Sequence, residues 1–257
     1  MEKLFDTHAH YTDERLRGNT SLLDSLFATD ISHILTVATD LSDTDECIAL
    51  AGKYSGIYAS AGIHPHESGD AGNLDCAMTA LAHKLEAPKV VALGEIGLDY
   101  HYDFSDRETQ MRFFRAQMEL AAQKNIPVII HDREAHGDIM NVIQEYKNRV
   151  IGIIHCCSAS AEQVKEYVKM GWYISFAGVI TYKNASKTLE SVLATPKDRI
   201  LVETDCPYLA PVPVRGKTNH SGYMHYTAAK AASLLQMDYD AFCAQEVQNA
   251  KTLLGIK

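Results

Sequence analysis

No apolar run in the chain approaches the ~20 residues that a membrane-spanning helix needs, so nothing in it reads as a membrane span. Its first residues, Met1-Glu2-Lys3-Leu4-Phe5-Asp6, lack the basic and apolar stretches of a secretory signal, and a cytoplasmic location is expected. Cysteines number only 6 and are scattered, with Cys156 and Cys157 adjacent, which fits reduced thiols better than a disulfide frame. Positive charge is also short. The 24 Lys and Arg stand against 33 Asp and Glu, a net charge of −9. A protein that coats duplex with a broad basic face needs many phosphate-neutralising cations. That class is disfavoured, but an enzyme that grips one strand end through metal ions is not. Low-complexity tracts and long Pro/Gly/Ser stretches are absent too. The 257 residues are therefore expected to form one domain, 1–257, of the barrel or large α/β type.

What is present is a repeating pattern. Short apolar, β-branched runs end in a polar residue, and helix-like segments follow. The runs are Lys3 to His8, Ile34 to Ala38, Ile57 to His64, Val90 to Glu95, Val128 to His131, Ile151 to His155, Tyr173 to Phe176 and Ile200 to Asp205. Between them, Leu22, Leu23, Leu26 and Phe27 start a helix. Ser105 and Glu108 have the spacing of a capping box before Met111, Phe114, Met118 and Ala121, and Ser160 with Gln163 makes a second box that Gly171 would close. A further helix, Asp240 to Leu254, reads as an appendage packed on the barrel. About eight strand–helix alternations predict a (β/α)8 TIM barrel, with a doubly wound open sheet as the alternative. No G-x-G-x-x-G opens a helix after the first strand, which weakens the dinucleotide-binding version of that alternative.

The polar residues ending the runs carry the chemistry. They are His8, His10, His64, Glu95, His131, His155 and Asp205, five of them among the chain's 12 histidines. In a parallel barrel the C-terminal strand ends share one face, where active sites are built. Imidazoles and carboxylates without thiolate suit a divalent metal. His8 and His10 are two apart, so on a strand both rings point one way. Either pair or single histidine taken alone would read as a hydrogen-bonded core or surface residue; several strand ends together point to a metal. Glycines around Glu95 would permit close backbone approach. An Asp ending a buried strand, as Asp205 does, is costly without a cation or donor nearby. Glu203 is expected deeper, as a buried supporting acid. Cys206 and Trp172 are expected to pack, and His220 and His225 to have local roles.

Together the motifs Asp6-Thr7-His8-Ala9-His10, Gly62-Ile63-His64-Pro65-His66, Gly94-Glu95-Ile96-Gly97-Leu98-Asp99-Tyr100, His131-Asp132-Arg133 and Glu203-Thr204-Asp205-Cys206-Pro207-Tyr208-Leu209 resemble the TatD family of metal-dependent deoxyribonucleases, barrel enzymes of the amidohydrolase superfamily. The resemblance implies two divalent cations such as Mg²⁺, Mn²⁺ or Zn²⁺. His8, His10, Glu95 and Asp205 would hold one, and Glu95 would bridge to a second held by His131 and His155. It implies hydrolysis of phosphodiester bonds in DNA, often from strand ends, with single-stranded DNA the expected partner. Asp205 and Glu95 would be catalytic, Asp205 taking the proton of the attacking water. His64, His66, Arg133, Arg215, Lys217 and Asn219 are the candidate substrate contacts. Two loops depart from the family pattern. His220 follows Asn219 where an acid is usual, and Cys157-Ser158-Ala159 stands where Phe-Ser-Gly follows the His-Cys of the sixth strand. A related amidohydrolase acting on a small ester, lactone or amide, and a metal-bound scaffold with little turnover, are the alternative functions.

Overall fold

The structure, a computed structural model, describes residues 3–102 and 104–257. In chain order the elements are β1 (Leu4–Ala9), α1 (Thr20–Ala28), β2 (Ile31–Thr36), α2 (Leu41–Lys53), β3 (Ile57–Ala61), α3 (Leu74–Lys84), β4 (Val90–Asp99), α4 (Arg107–Lys124), β5 (Val128–Arg133), α5 (His136–Glu145), β6 (Gly152–Ile154), α6 (Ala161–Lys169), β7 (Tyr173–Phe176), α7 (Ser186–Ala194), β8 (Ile200–Val202), α8 (Met224–Leu234) and α9 (Tyr239–Leu254). The sheet order is β1-β2-β3-β4-β5-β6-β7-β8. This is the (β/α)8 TIM-barrel fold that the alternation predicts, and the open-sheet alternative falls away. Contacts group the chain into two units, Met1–Thr36 with Cys156–Lys257, and Val37–His155.

In the first unit, β7 pairs with β8 and β1 with β2, all parallel. β8 reaches β1 through an isolated bridge, Ala9 to Cys206. The Asp205 N–H donates to His8 O at 2.9 Å and the His10 N–H to Cys206 O at 2.7 Å. Phe5, Trp172, Tyr167, Phe176 and Phe242 are among its largest buried side chains. β2 begins three residues before the apolar run suggests, because Ser32 and His33 lie half-buried inside the strand. Ser32 Oγ donates back to Leu4 O, so its polarity is satisfied within the sheet. The last helix packs on the barrel as expected, against β1 and β8. Glu246 of α9 accepts from Phe5 N at 3.2 Å, and Asn249 donates to Ile200 O at 2.8 Å. Both side chains are buried, and burial pushes the Glu246 carboxyl well above its usual range. The Ser160–Gln163 capping box on α6 is formed, and Gly171, at φ 90°, lies one residue past the C-cap Met170.

In the second unit, β3, β4, β5 and β6 pair in that order, all parallel. The Ser105 box is not formed. Asp106 caps α4 instead, its carboxylate accepting from Thr109 N at 2.9 Å. Ser105 is drawn inward, donating to His66 O and accepting from Gly69 N. Two buried glutamines of α4, Gln110 and Gln117, sit seven residues apart and so share a helix face. Gln117 bonds both the N–H and the C=O of Ile63, at 2.8 and 3.0 Å. Gln110 does the same for Asp99, at 2.9 and 3.0 Å. A helix on the outside thus fixes the backbone immediately before His64 and at the end of β4.

Candidate metal centre

In the first unit His8 lies on β1 and His10 directly after it. Their Nε2 atoms approach to 3.2 Å. Asp205 Oδ1 lies 3.4 Å from His10 Nε2 and 3.8 Å from His8 Nε2. An ion bound at about 2.0–2.2 Å seats neighbouring donors roughly 3.0–3.6 Å apart; the two pairs that include His10 have that spacing, and the His8–Asp205 pair is slightly wider. Asp205 follows the three-residue strand β8 in a left-handed backbone, φ 54°. A buried network holds it there. Asp6, two residues before His8 on β1, accepts from Thr204 N at 3.0 Å, Thr204 Oγ1 at 2.6 Å and Ser221 Oγ at 2.7 Å. Burial raises the Asp6 carboxyl to about 6 against the pull of those donors. Glu203 is fully buried and accepts from Cys156 N at 2.8 Å, in keeping with the supporting acid expected.

In the second unit Glu95 lies inside the ten-residue strand β4 rather than at its end, and Asp99, four residues on, is the strand's last residue. A Cβ at Gly94 would meet the Ile129 side chain at 2.7 Å. One at Gly97, whose φ is 144°, would meet His131 O at 2.0 Å. Only glycine lets β4 lie this close to β5, and that closeness delivers Glu95 to the β5 imidazole. Glu95 Oε1 is 2.8 Å from His131 Nδ1 and 3.3 Å from His155 Nε2. The other ring nitrogen of His131, Nε2, is 3.1 Å from Asp99 Oδ2. Burial alone would push His131 down, but the bonds to Asp99 and Glu95 outweigh it and raise the imidazole to about 9. With Nε2 claimed by Asp99, Nδ1 is the nitrogen left to face a cation, which would take the place of its proton.

Asp99 is nearly fully buried and also accepts from His66 Nε2 at 2.7 Å and from the N–H groups of His101 and Tyr102, each at 2.9 Å. Burial works to raise its carboxyl, but donors from His131, Tyr102 and His66 hold it well below the usual range. Its place closing the Gly94–Asp99 motif, four residues after Glu95, was the available sequence signal for this role. His64 Nδ1 accepts from His66 N at 3.2 Å, which leaves the proton on Nε2, 4.0 Å from Glu95 Oε1. His64 therefore offers the site a donor.

The remaining sequence candidates sort by burial. Asn219 was expected to touch substrate. It is buried instead, and its amide donates to Thr204 O at 2.9 Å and Tyr208 O at 2.7 Å while its oxygen accepts from His220 N. With every polar atom used on backbone, it braces the loop that carries Asp205. Arg133, Arg215 and Lys217 are exposed. The Arg133 and Arg215 guanidiniums lie over the Tyr102 and Tyr182 rings, at 5.2 and 4.4 Å. His220 caps the turn Ser221–Tyr223 through Nδ1, and His225 bonds Gly222 O, so both have local partners. Cys206 and Trp172 are buried, as expected of packing residues.

A (β/α)8 fold with imidazoles and carboxylates near ligand spacing, at β1 and after β8 in one unit and from β4 to the end of β6 in the other, has the chemistry of a metal-dependent hydrolase. More particularly, the chain belongs to the TatD family, since the family model described as TatD related DNase matches residues 5–255. It is 39% identical over 255 residues to YabD of Bacillus subtilis, an uncharacterized metal-dependent hydrolase, covering 98% of this chain and 99% of that one. It is 30% identical over 261 residues to a Citrobacter koseri protein named 3'-5' ssDNA/RNA exonuclease TatD, covering 98% and 99%. The crystal structure of YJJV, a TatD homologue from Escherichia coli, matches with a TM-score of 0.92 at 28% identity, covering 99% of this chain and 98% of that one.

Proposed function

We propose that the chain is a deoxyribonuclease that uses two divalent cations to cleave phosphodiester bonds at the ends of single-stranded DNA, all of 1–257 acting as one catalytic domain. The observation that carries this reading is the donor chemistry: one imidazole–carboxylate set of His8, His10 and Asp205, and another of Glu95, His131 and His155. The sharing of Glu95 between the cations rests on the family resemblance. A relative named as a single-strand exonuclease supports the substrate class. So does the net charge of −9, which leaves little for a duplex footprint. Bound cations supply Lewis acidity toward the phosphate and lower the pKa of the attacking water. Asp205 accepts that water's proton. Its side chain is 16% exposed against 4% for Glu95, so of the two acids it is the one that solvent reaches. His64, protonated on Nε2, donates to a phosphate oxygen or the leaving oxygen. Among the described residues no helix is long and apolar enough to cross a membrane. No disulfide joins the six cysteines, which supports placing the enzyme in the cytoplasm.

The test is a substrate panel with Mg²⁺, Mn²⁺ and Zn²⁺: single-stranded DNA and RNA, blunt linear duplex, closed circular duplex, and nitrophenyl ester and lactone substrates. The expected result is chelator-sensitive shortening of single strands, slower on blunt duplex and absent on closed circles. Metal analysis should find two ions per chain. Turnover of an ester or lactone with no DNA cleavage would overturn the reading.

A further inference from the structure

We propose that Tyr102 and Phe104 form a stacking platform for one unpaired nucleobase of the substrate strand, with Arg133 beside it for the adjoining phosphate. This deepens the deoxyribonuclease reading and rests on it. Phe104 is 68% exposed and Tyr102 42%, in the segment that follows β4. Their rings lie 5.5 Å apart and only 13° from parallel, so they stack on one another and the more exposed ring, Phe104, faces solvent. Leaving such surface in water is unfavourable. The pair is not a loose tip. His101 N and Tyr102 N are both tied to the buried Asp99 carboxylate. His66 sets its ring edge against both aromatics, at 5.6 Å to Tyr102 and 4.8 Å to Phe104, while its Nε2 is bonded to Asp99. Asp99 in turn holds His131. The platform thus continues directly from the carboxylate that orients a candidate metal ligand.

The occupant follows from that position. A group next to a phosphate-cleaving site, flat and uncharged on its faces, is a nucleobase, and every base has a face that an aromatic ring can take. Arg133, exposed and 5.2 Å from the Tyr102 ring, supplies the only cation stacked on this pair among the described contacts. It serves a backbone phosphate while the rings take the base. Internal bases of a duplex have both faces covered, so the platform selects single strands.

The experiment compares wild type, Phe104→Ala, Tyr102→Ala and Phe104→Trp at saturating Mn²⁺. One substrate is a single-stranded DNA oligomer; the other is the same oligomer with abasic terminal positions. Each alanine variant is expected to raise KM on the normal oligomer about tenfold, the scale of one base–aromatic stack, with kcat nearly unchanged and Phe104→Trp restoring it. On abasic ends the wild type should already show the raised KM, and the alanine variants should add nothing. An unchanged KM on the normal oligomer, or an equal rise on abasic ends, overturns the platform while leaving the deoxyribonuclease reading intact. Failure of the wild type to cleave either oligomer overturns both.

Discussion

The candidate ligand set of His8, His10 and Asp205 and that of Glu95, His131 and His155 are held in place by opposite means. Asp205 sits on a loop after a strand of three residues, and its rigidity comes from buried side chains: Asp6 bonded to Thr204 and Ser221, and Asn219 bonded to Thr204 and Tyr208. Glu95 sits within a strand of ten, and its place comes from backbone that glycine allows to approach closely. A loop-borne acid keeps solvent access and so suits proton transfer. A strand-borne acid is nearly dry and suits holding charge. The two sets should therefore fail differently when disturbed.

The largest expected effect is at Asp205. Asparagine keeps the size and one acceptor oxygen but loses the charge and the ability to take a proton. Loss of a general base costs ~10²–10⁴-fold in rate. Asp205→Asn should lose that in kcat with KM little changed at saturating Mn²⁺, and should retain the cation of Glu95, His131 and His155. Glu203→Gln is the control. Its carboxylate is fully buried on Cys156 N, so it should lower stability more than turnover. Near wild-type kcat in Asp205→Asn would remove the end of β8 from the chemistry.

A smaller and different loss is expected at Asp99. Asparagine there can no longer hold the His131 Nε2 proton by charge, and altering such a ligand-orienting partner typically costs about 10–100-fold in metal affinity. Asp99→Asn should weaken one bound cation by that factor, read by chelator competition, and excess Mn²⁺ should recover most of kcat. If excess metal recovers nothing, Asp99 does more than orient His131. If affinity does not change, the contrast between the two sets fails.

Much of this was legible in the sequence, for definite reasons. Strand–helix alternation is local, and a (β/α)8 fold turns it into a whole-chain rule, so the eight strands and the candidate ligand positions can be read from runs and their ends. Boundaries were harder. β4 runs on through Glu95 to Asp99 because glycines at 94 and 97 let polar strand residues face a site instead of ending the strand. Ser105 gave way to Asp106 as the α4 cap because Ser105 is recruited by His66 and Gly69, contacts that no local pattern encodes. Asp6 and Asp99 stood in plain sight within motifs, yet their roles depend on partners such as Ser221 and His131, 215 and 32 residues away in the chain.

Asn219 is where that limit shows most clearly, and it carries the smallest expected effect. Next to Arg215 and Lys217 it reads as part of a basic substrate loop, but its amide is spent on two carbonyls. Asn219→Ala would strip a bond from the buried Thr204 carbonyl, and an unsatisfied buried acceptor costs about 1–3 kcal/mol. Denaturant unfolding should show a loss of that size. KM for single-stranded DNA should stay at the wild-type value where the variant is fully folded. Lys217→Ala should do the reverse. That side chain is exposed, so stability should hold to within ~0.5 kcal/mol, while KM should rise modestly at low salt and converge on wild type as salt screens the phosphate. A KM rise in Asn219→Ala without loss of stability would return the residue to the substrate face, and would mean that the Asp205 loop keeps its shape without this brace.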